Sequence, residues 1–137
     1  MEYFYNSFFR LVLALILGAI IGIEREKKKK SAGLQTYSLV ALSSALFSTV
    51  AFSLAESKII DPSLVIMAIG VGMGFIGSGV IFKKEDHLEG LTTAAGLWVT
   101  AAIGLSVGAG LYYLAIMGAF LTLFIFIVFG FLEEKFL

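Results

Sequence analysis

Apolar residues run along this chain in five long blocks, and short clusters of charge separate most of them. The blocks cover about residues 4–23, 34–54, 62–82, 91–107 and 111–132. Each has roughly the length of one membrane crossing, about 17–25 residues. An unpaired backbone amide or carbonyl in hydrocarbon costs several kcal/mol, so such segments close their hydrogen bonds internally as helices. Asp61 and Pro62 suit the cap and first turn of the third helix. Gly108-Ala109-Gly110 allows a tight turn between the fourth and fifth, because a continuous 91–132 helix would be far too long for one crossing. The expected fold is an all-α integral membrane protein, a single transmembrane domain over residues 1–137 built as a bundle of five transmembrane helices.

Composition narrows the function. Of 137 residues 59% are hydrophobic and one is proline, which fits a chain that is almost entirely membrane domain. The formal net charge is zero, so there is no electrostatic footprint for nucleic acid. Without cysteine, neither disulfide nor thiolate chemistry arises. Met1-Glu2-Tyr3-Phe4 lacks the positive start of a cleaved signal peptide, so the first block is expected to stay in the mature protein. Of the ten lysines and arginines, eight fall at one end of the bundle: Arg25, Lys27 to Lys30, Lys83, Lys84 and Lys135. Only Arg10 and Lys58 fall at the other. The positive-inside rule then places the N-terminus outside and the C-terminus in the cytoplasm.

The third block carries a glycine ladder, Gly70, Gly72, Gly74, Gly77 and Gly79. In a soluble helix each glycine would cost about 1 kcal/mol against alanine. In a bilayer the same residues open room for another helix to approach closely. Small residues also recur at helical spacing elsewhere: Gly96, Thr100, Gly104 and Gly108 in the fourth block, Ala14, Gly18 and Gly22 in the first, Ala41, Ala45, Thr49 and Ser53 in the second. These stripes read either as packing within the bundle or as a homodimer interface or thin-walled pathway. Leucine at Gly74 or Gly77 is expected to disturb helix assembly, and leucine at Gly130 is not. Residues 121–129 are large all round, as in a lipid-facing helix.

Little in the chain points to catalysis. Gly72-x-Gly74-x-x-Gly77 has the form of a dinucleotide loop, but no strand precedes it and no acidic residue follows at the required distance. His87 stands alone in a charged loop. No catalytic group, metal site or cofactor is expected, and the chain reads as no enzyme. Arg10 lies some two turns inside the first span, where a charge snorkels or pairs; Glu56 and Asp61 are the acids within reach. No carboxylate falls in the middle of a span, which weighs against Mg2+ transport by this chain alone, since Mg2+ sheds water reluctantly and prefers oxygen ligands. The basic end is richer, with Glu24, Arg25 and Glu26, then Gln35 and Thr36, then Thr92 and Thr93, and Trp98 somewhat deeper. A helix start with free amides and two threonine hydroxyls holds an anion or pairs with a carboxylate such as Glu24. The lysine run either sets topology and attracts anionic lipid or forms a docking site.

Several blocks carry a family likeness. Arg10 to Ala14, Leu17-Gly18-Ala19-Ile20-Ile21-Gly22-Ile23-Glu24-Arg25-Glu26, Ala32-Gly33-Leu34-Gln35-Thr36, Gly72 to Ile81 and Gly90-Leu91-Thr92-Thr93-Ala94-Ala95-Gly96-Leu97-Trp98 resemble the MgtC/SapB membrane proteins, in order and over nearly the whole chain. The resemblance implies a bacterial inner-membrane protein connected with growth at low Mg2+, virulence and control of F-type ATP synthase. Gln35 stands where that family commonly holds arginine, and the soluble C-terminal domain of many members is expected to be absent. The expected function is therefore modulation of ion homeostasis by a homodimer that binds other inner-membrane proteins in the lipid bilayer. The alternative is a small ion carrier with a path along spans three and four.

Overall fold

The computed structural model describes residues 2–136. Five helices run through them: α1 (Glu2–Lys27), α2 (Leu34–Glu56), α3 (Pro62–Gly79), α4 (Leu91–Gly108) and α5 (Tyr112–Phe136). Helices α1, α2, α4 and α5 are long and apolar enough to cross a membrane, and the chain is a largely helical membrane protein. Helix α3 is shorter than the 62–82 block. Its 18 residues rise about 27 Å at 1.5 Å each, a little less than the ~30 Å hydrocarbon core. Asp61 Oδ1 accepts from the Ser63 amide at 2.9 Å and Pro62 fills the first position, so the start of α3 follows its local signals. That bond also holds the Asp61 carboxyl below the ordinary aspartate range.

The end of α3 departs from the sequence reading. Phe82–Lys84 (β1) and His87–Glu89 (β2) pair as an antiparallel hairpin, Phe82 opposite Glu89 and Lys84 opposite His87, where a plain charged loop is expected from sequence. Lys84 and His87 both reach Glu89, at 3.3 and 3.4 Å, and Lys84 holds the Glu89 carboxyl below its usual range. Gly90 then turns the chain into α4 with φ +91°, and a side chain there would run into the Val80 carbonyl. Only glycine meets both demands.

The core lies between α1, α2 and α4, and small residues build it. A Cβ on Gly18 would lie 2.6 Å from the Tyr37 carbonyl oxygen, one on Gly22 2.7 Å from the Leu34 Cα, and one on Gly104 would collide with the Ala41 carbonyl. Gly108 meets Ser48 and Ala45 in the same way. Backbones in such contact gain dispersion energy along the whole seam, which replaces the hydrophobic drive that lipid does not supply. Ala14, Ile21, Ala41, Ala45, Leu97 and Val107 are fully or almost fully buried around it. Hydroxyls inside the core bond back to their own helices: Thr100 to the Gly96 carbonyl at 2.8 Å and Thr122 to Gly118 at 2.7 Å. This satisfies them without a partner from another helix.

Helix α5 also differs from the expected lipid-facing rod. Residues Ile125–Phe129 form a π-helical segment. Thr122 and Phe126 are buried, whereas Phe124, Ile125, Ile127 and Phe129 remain exposed. Phe126 continues at helical spacing the buried face of Ala115, Ala119 and Thr122, and the wider turn begins beside it at Ile125. Insertions of this kind recur at functional sites.

Candidate functional site

Phe126 matters because of what it meets. The Arg25 guanidinium sits over the Phe126 ring, 4.1 Å from its centroid. Arg25 lies in the last turn of α1 and is only 3% exposed. Its Nη1 lies 3.5 Å from Oε2 of Glu24, and Lys28 Nζ lies 3.9 Å from Oε1 of the same carboxylate and 3.6 Å from Glu134. Two adjacent charges at one helix end are thus drawn into the bundle. Withdrawal from water is costly, and attraction within the pair offsets it only when geometry and further contacts are good. The aromatic face under Arg25 supplies one such contact. Arg25 Nε and both Glu24 oxygens have no hydrogen-bond partner among the described residues.

Tyr37 closes the other side. It is fully buried, and its hydroxyl donates to the Thr93 carbonyl at 3.4 Å. Gly96 leaves the necessary room: a Cβ there would lie 2.6 Å from the Tyr37 hydroxyl and would also strike the Phe126 ring. Neither Tyr37 nor Phe126 stands out in the sequence as a site residue. Tyr37 had one signal, a phenol in the first turn of an apolar helix beside a charged segment, where its ring is buried and its hydroxyl finds a partner. Phe126 had one as well: it stands four residues after Thr122, on the face that Ala115, Ala119 and Thr122 turn inward.

The remaining residues at this end divide by role. Glu26 Oε2 accepts from the Leu34 amide at 3.0 Å and so caps α2. Glu24, by contrast, lies beside Arg25 and Lys28 rather than at the start of α4. Gln35 is exposed and Thr36 half-buried; Thr93 is buried while Thr92 is exposed. Thr92 lines a cavity of about 290 Å³ with Arg25, Lys28, Lys30, Phe129 and Glu134. Trp98 is not part of this cluster. Its indole Nε1 donates to the Gly70 carbonyl at 3.1 Å, tying α4 to the glycine ladder of α3.

The ladder itself is open. A Cβ on Gly70, Gly72, Gly74 or Gly79 would meet nothing within 4 Å, and one on Gly77 would make ordinary contact with Ala94 at 3.6 Å. Nor does it form one face. Gly74 and Gly77 border a cavity beside Trp98, whereas Gly72 opens onto an apolar groove of about 840 Å³ between α2 and α3, with Ser43, Phe47, Val65 and Ile76 along it. Gly96, Thr100 and Gly104, by contrast, lie within the packed core. At the far end of the bundle Arg10 Nη1 donates to the Gly108 carbonyl at 2.7 Å. A cation at the last carbonyls of α4 suits the helix dipole. Glu56 lines the same small cavity, of about 110 Å³.

The MgtC family model matches residues 11–135. The chain belongs to the MgtC family. The match takes in Glu24, Arg25, Tyr37, Phe126 and the whole ladder. Among the relatives, YhiD of Escherichia coli (strain K12), named as a candidate magnesium transporter, is 43% identical over 126 residues, 88% of this chain and 59% of YhiD. SrpB of Synechococcus elongatus is 39% identical over 128 residues, covering 84% of this chain and 70% of SrpB. Protein MgtC of Brucella abortus (strain 2308) is 46% identical over 98 residues, 72% of this chain and 40% of the Brucella protein. The chain therefore spans about three fifths of YhiD and two fifths of the Brucella protein. No solved structure matches.

Proposed function

We propose that this MgtC-family chain is a non-enzymatic protein of the bacterial inner membrane that modulates Mg2+ homeostasis by association with other membrane proteins, its basic end in the cytoplasm. The observation that carries this reading is the unfilled α2–α3 groove with Gly72 open beside it. The other small-residue seams are already closed by helices of the same chain, so the groove is where a further helix fits. We assign that helix to α3 of a second copy. The α3 face at Gly72 is slim and apolar, and a two-fold pairing would seat each α3 in the groove of its partner. The name of the Escherichia coli relative brings Mg2+ into the reading, and the family resemblance brings F-type ATP synthase as a candidate partner.

The rival reading is an ion carrier along α3 and α4. The cavities between α3 and α4 are lined almost wholly by apolar side chains, with Ser78 as their hydroxyl, a surface suited to a helix more than to a hydrated divalent ion. Purified chain in liposomes loaded with a Mg2+ indicator is expected to give no saturable flux above empty vesicles. Saturable Mg2+ flux from the chain alone would overturn the modulator reading.

A further inference from the structure

The 290 Å³ cavity at the basic end has a chemistry of its own. Its inner wall is Arg25, 3% exposed, with Nε lacking a hydrogen-bond partner. Thr92, second residue of α4, stands at the same cavity, and Gly90 gives that helix start no side-chain cap. First-turn amides have no partner within their own helix and favour an anion. Lys28 and Lys30 add positive charge, and Glu133 and Glu134 from α5 also line the cavity, Glu134 3.6 Å from the Lys28 ammonium. Ile125 and Phe129 form an apolar wall that continues onto the outer surface of α5, where both are about half exposed.

We infer that this cavity binds the phosphate of a membrane phospholipid, with an amine-bearing headgroup preferred. A phosphodiester accepts from the Arg25 guanidinium, from the Thr92 hydroxyl and from the ammonium groups of Lys28 and Lys30. Guanidinium and ammonium donors to phosphate are short and strong because both partners are charged. A soluble phosphate would use the same donors but leave Ile125 and Phe129 idle, whereas an acyl chain lies along them. The headgroup amine of phosphatidylethanolamine reaches Glu133 and Glu134, so the two acids match the zwitterion instead of opposing the anion. This site is independent of the α2–α3 groove and stands whether or not that groove holds a second copy.

The test uses purified, delipidated full chain in detergent, with native mass spectrometry of retained lipid after equimolar addition of phosphatidylethanolamine, phosphatidylglycerol and phosphatidylcholine. One molecule of phosphatidylethanolamine per chain is expected to be kept preferentially. Lys30→Gln with Thr92→Val changes exposed groups and leaves the fold intact. It is expected to weaken retention about tenfold, since one surface lysine alone is worth about fivefold. Glu133→Gln with Glu134→Gln is expected to shift preference to phosphatidylglycerol. Lys83→Gln with Lys84→Gln, an equal or larger charge change on the hairpin, is expected to leave retention unchanged. Equal loss from the hairpin and cavity variants would mean diffuse attraction and overturn the site. Inorganic phosphate broadening its 31P line with the same variant dependence, but no retained lipid, would overturn the lipid assignment.

Discussion

Gly104→Ala is expected to destabilise this protein by about 3 kcal/mol, at the upper end of what overpacking costs in a filled core. A Cβ at Gly104 would collide with the Ala41 carbonyl, and its next neighbours are the Ala41 carbonyl carbon and Cα. All of these are backbone atoms, so no side chain can swing aside. Relief requires α2 and α4 to separate, and the seam holds Tyr37, Leu97, Val107 and Thr100, all fully buried. Gly74→Ala and Gly79→Ala provide the contrast. Both positions face open space, and alanine is the better helix former, so each is expected to be neutral or slightly stabilising. Thermal unfolding in detergent micelles, followed by circular dichroism, reads the difference directly. A Gly104→Ala midpoint equal to that of Gly74→Ala would mean that the α2–α4 seam is not as tight as described.

The second large effect is expected at Arg25. Arg25→Leu would leave the Glu24 carboxylate buried with only Lys28 near it, at 3.9 Å, and would empty the space above Phe126. Removing one member of a buried pair costs about 3–5 kcal/mol, whereas replacing both by apolar groups is often close to neutral. Glu24→Leu with Arg25→Leu is therefore expected to be more stable than Arg25→Leu alone. A double-mutant cycle by denaturant unfolding measures the coupling. Strictly additive losses would show that the two charges do not compensate each other inside the bundle.

How much of this was legible beforehand varied with the kind of signal. Helices α1, α2 and α4 follow from block length and from the small-residue stripes, because close helix approach leaves its imprint at every fourth position. Asp61-Pro62 and Gly108-Ala109-Gly110 marked two boundaries by local chemistry; Gly110 takes φ +83°. The β1–β2 hairpin was not legible, since three exposed residues per strand carry too little alternation to separate from a charged loop. The inward position of Phe126 was harder to see: apart from Thr122, residues 121–129 are all large, and the helical spacing from Ala119 and Thr122 that selects Phe126 is masked by neighbours of equal size. Residues at the basic end were identifiable as a group, but their partners were not. Charge and a shared membrane face allowed a contact between Glu24 and the start of α4, whereas the structure gives Glu26 to the start of α2 and holds Glu24 beside Arg25. The ladder was evident as a pattern, yet a pattern of glycines does not specify which helix fills the space they leave.

That last question is the one most open to direct measurement. The chain has no cysteine, so a single introduced thiol reports on its own position alone. Gly72→Cys and Ala68→Cys, made singly, place that thiol along the α2–α3 groove, and Phe120→Cys places it on the exposed surface of α5. Disulfide formation requires Cα atoms within about 7 Å. In native membranes under mild oxidation, the account predicts a cross-linked species of twice the chain mass from the groove positions and none from Phe120→Cys. Absence of the dimer from both groove positions, with or without cross-linking at Phe120→Cys, would contradict the assignment of that groove to a second copy.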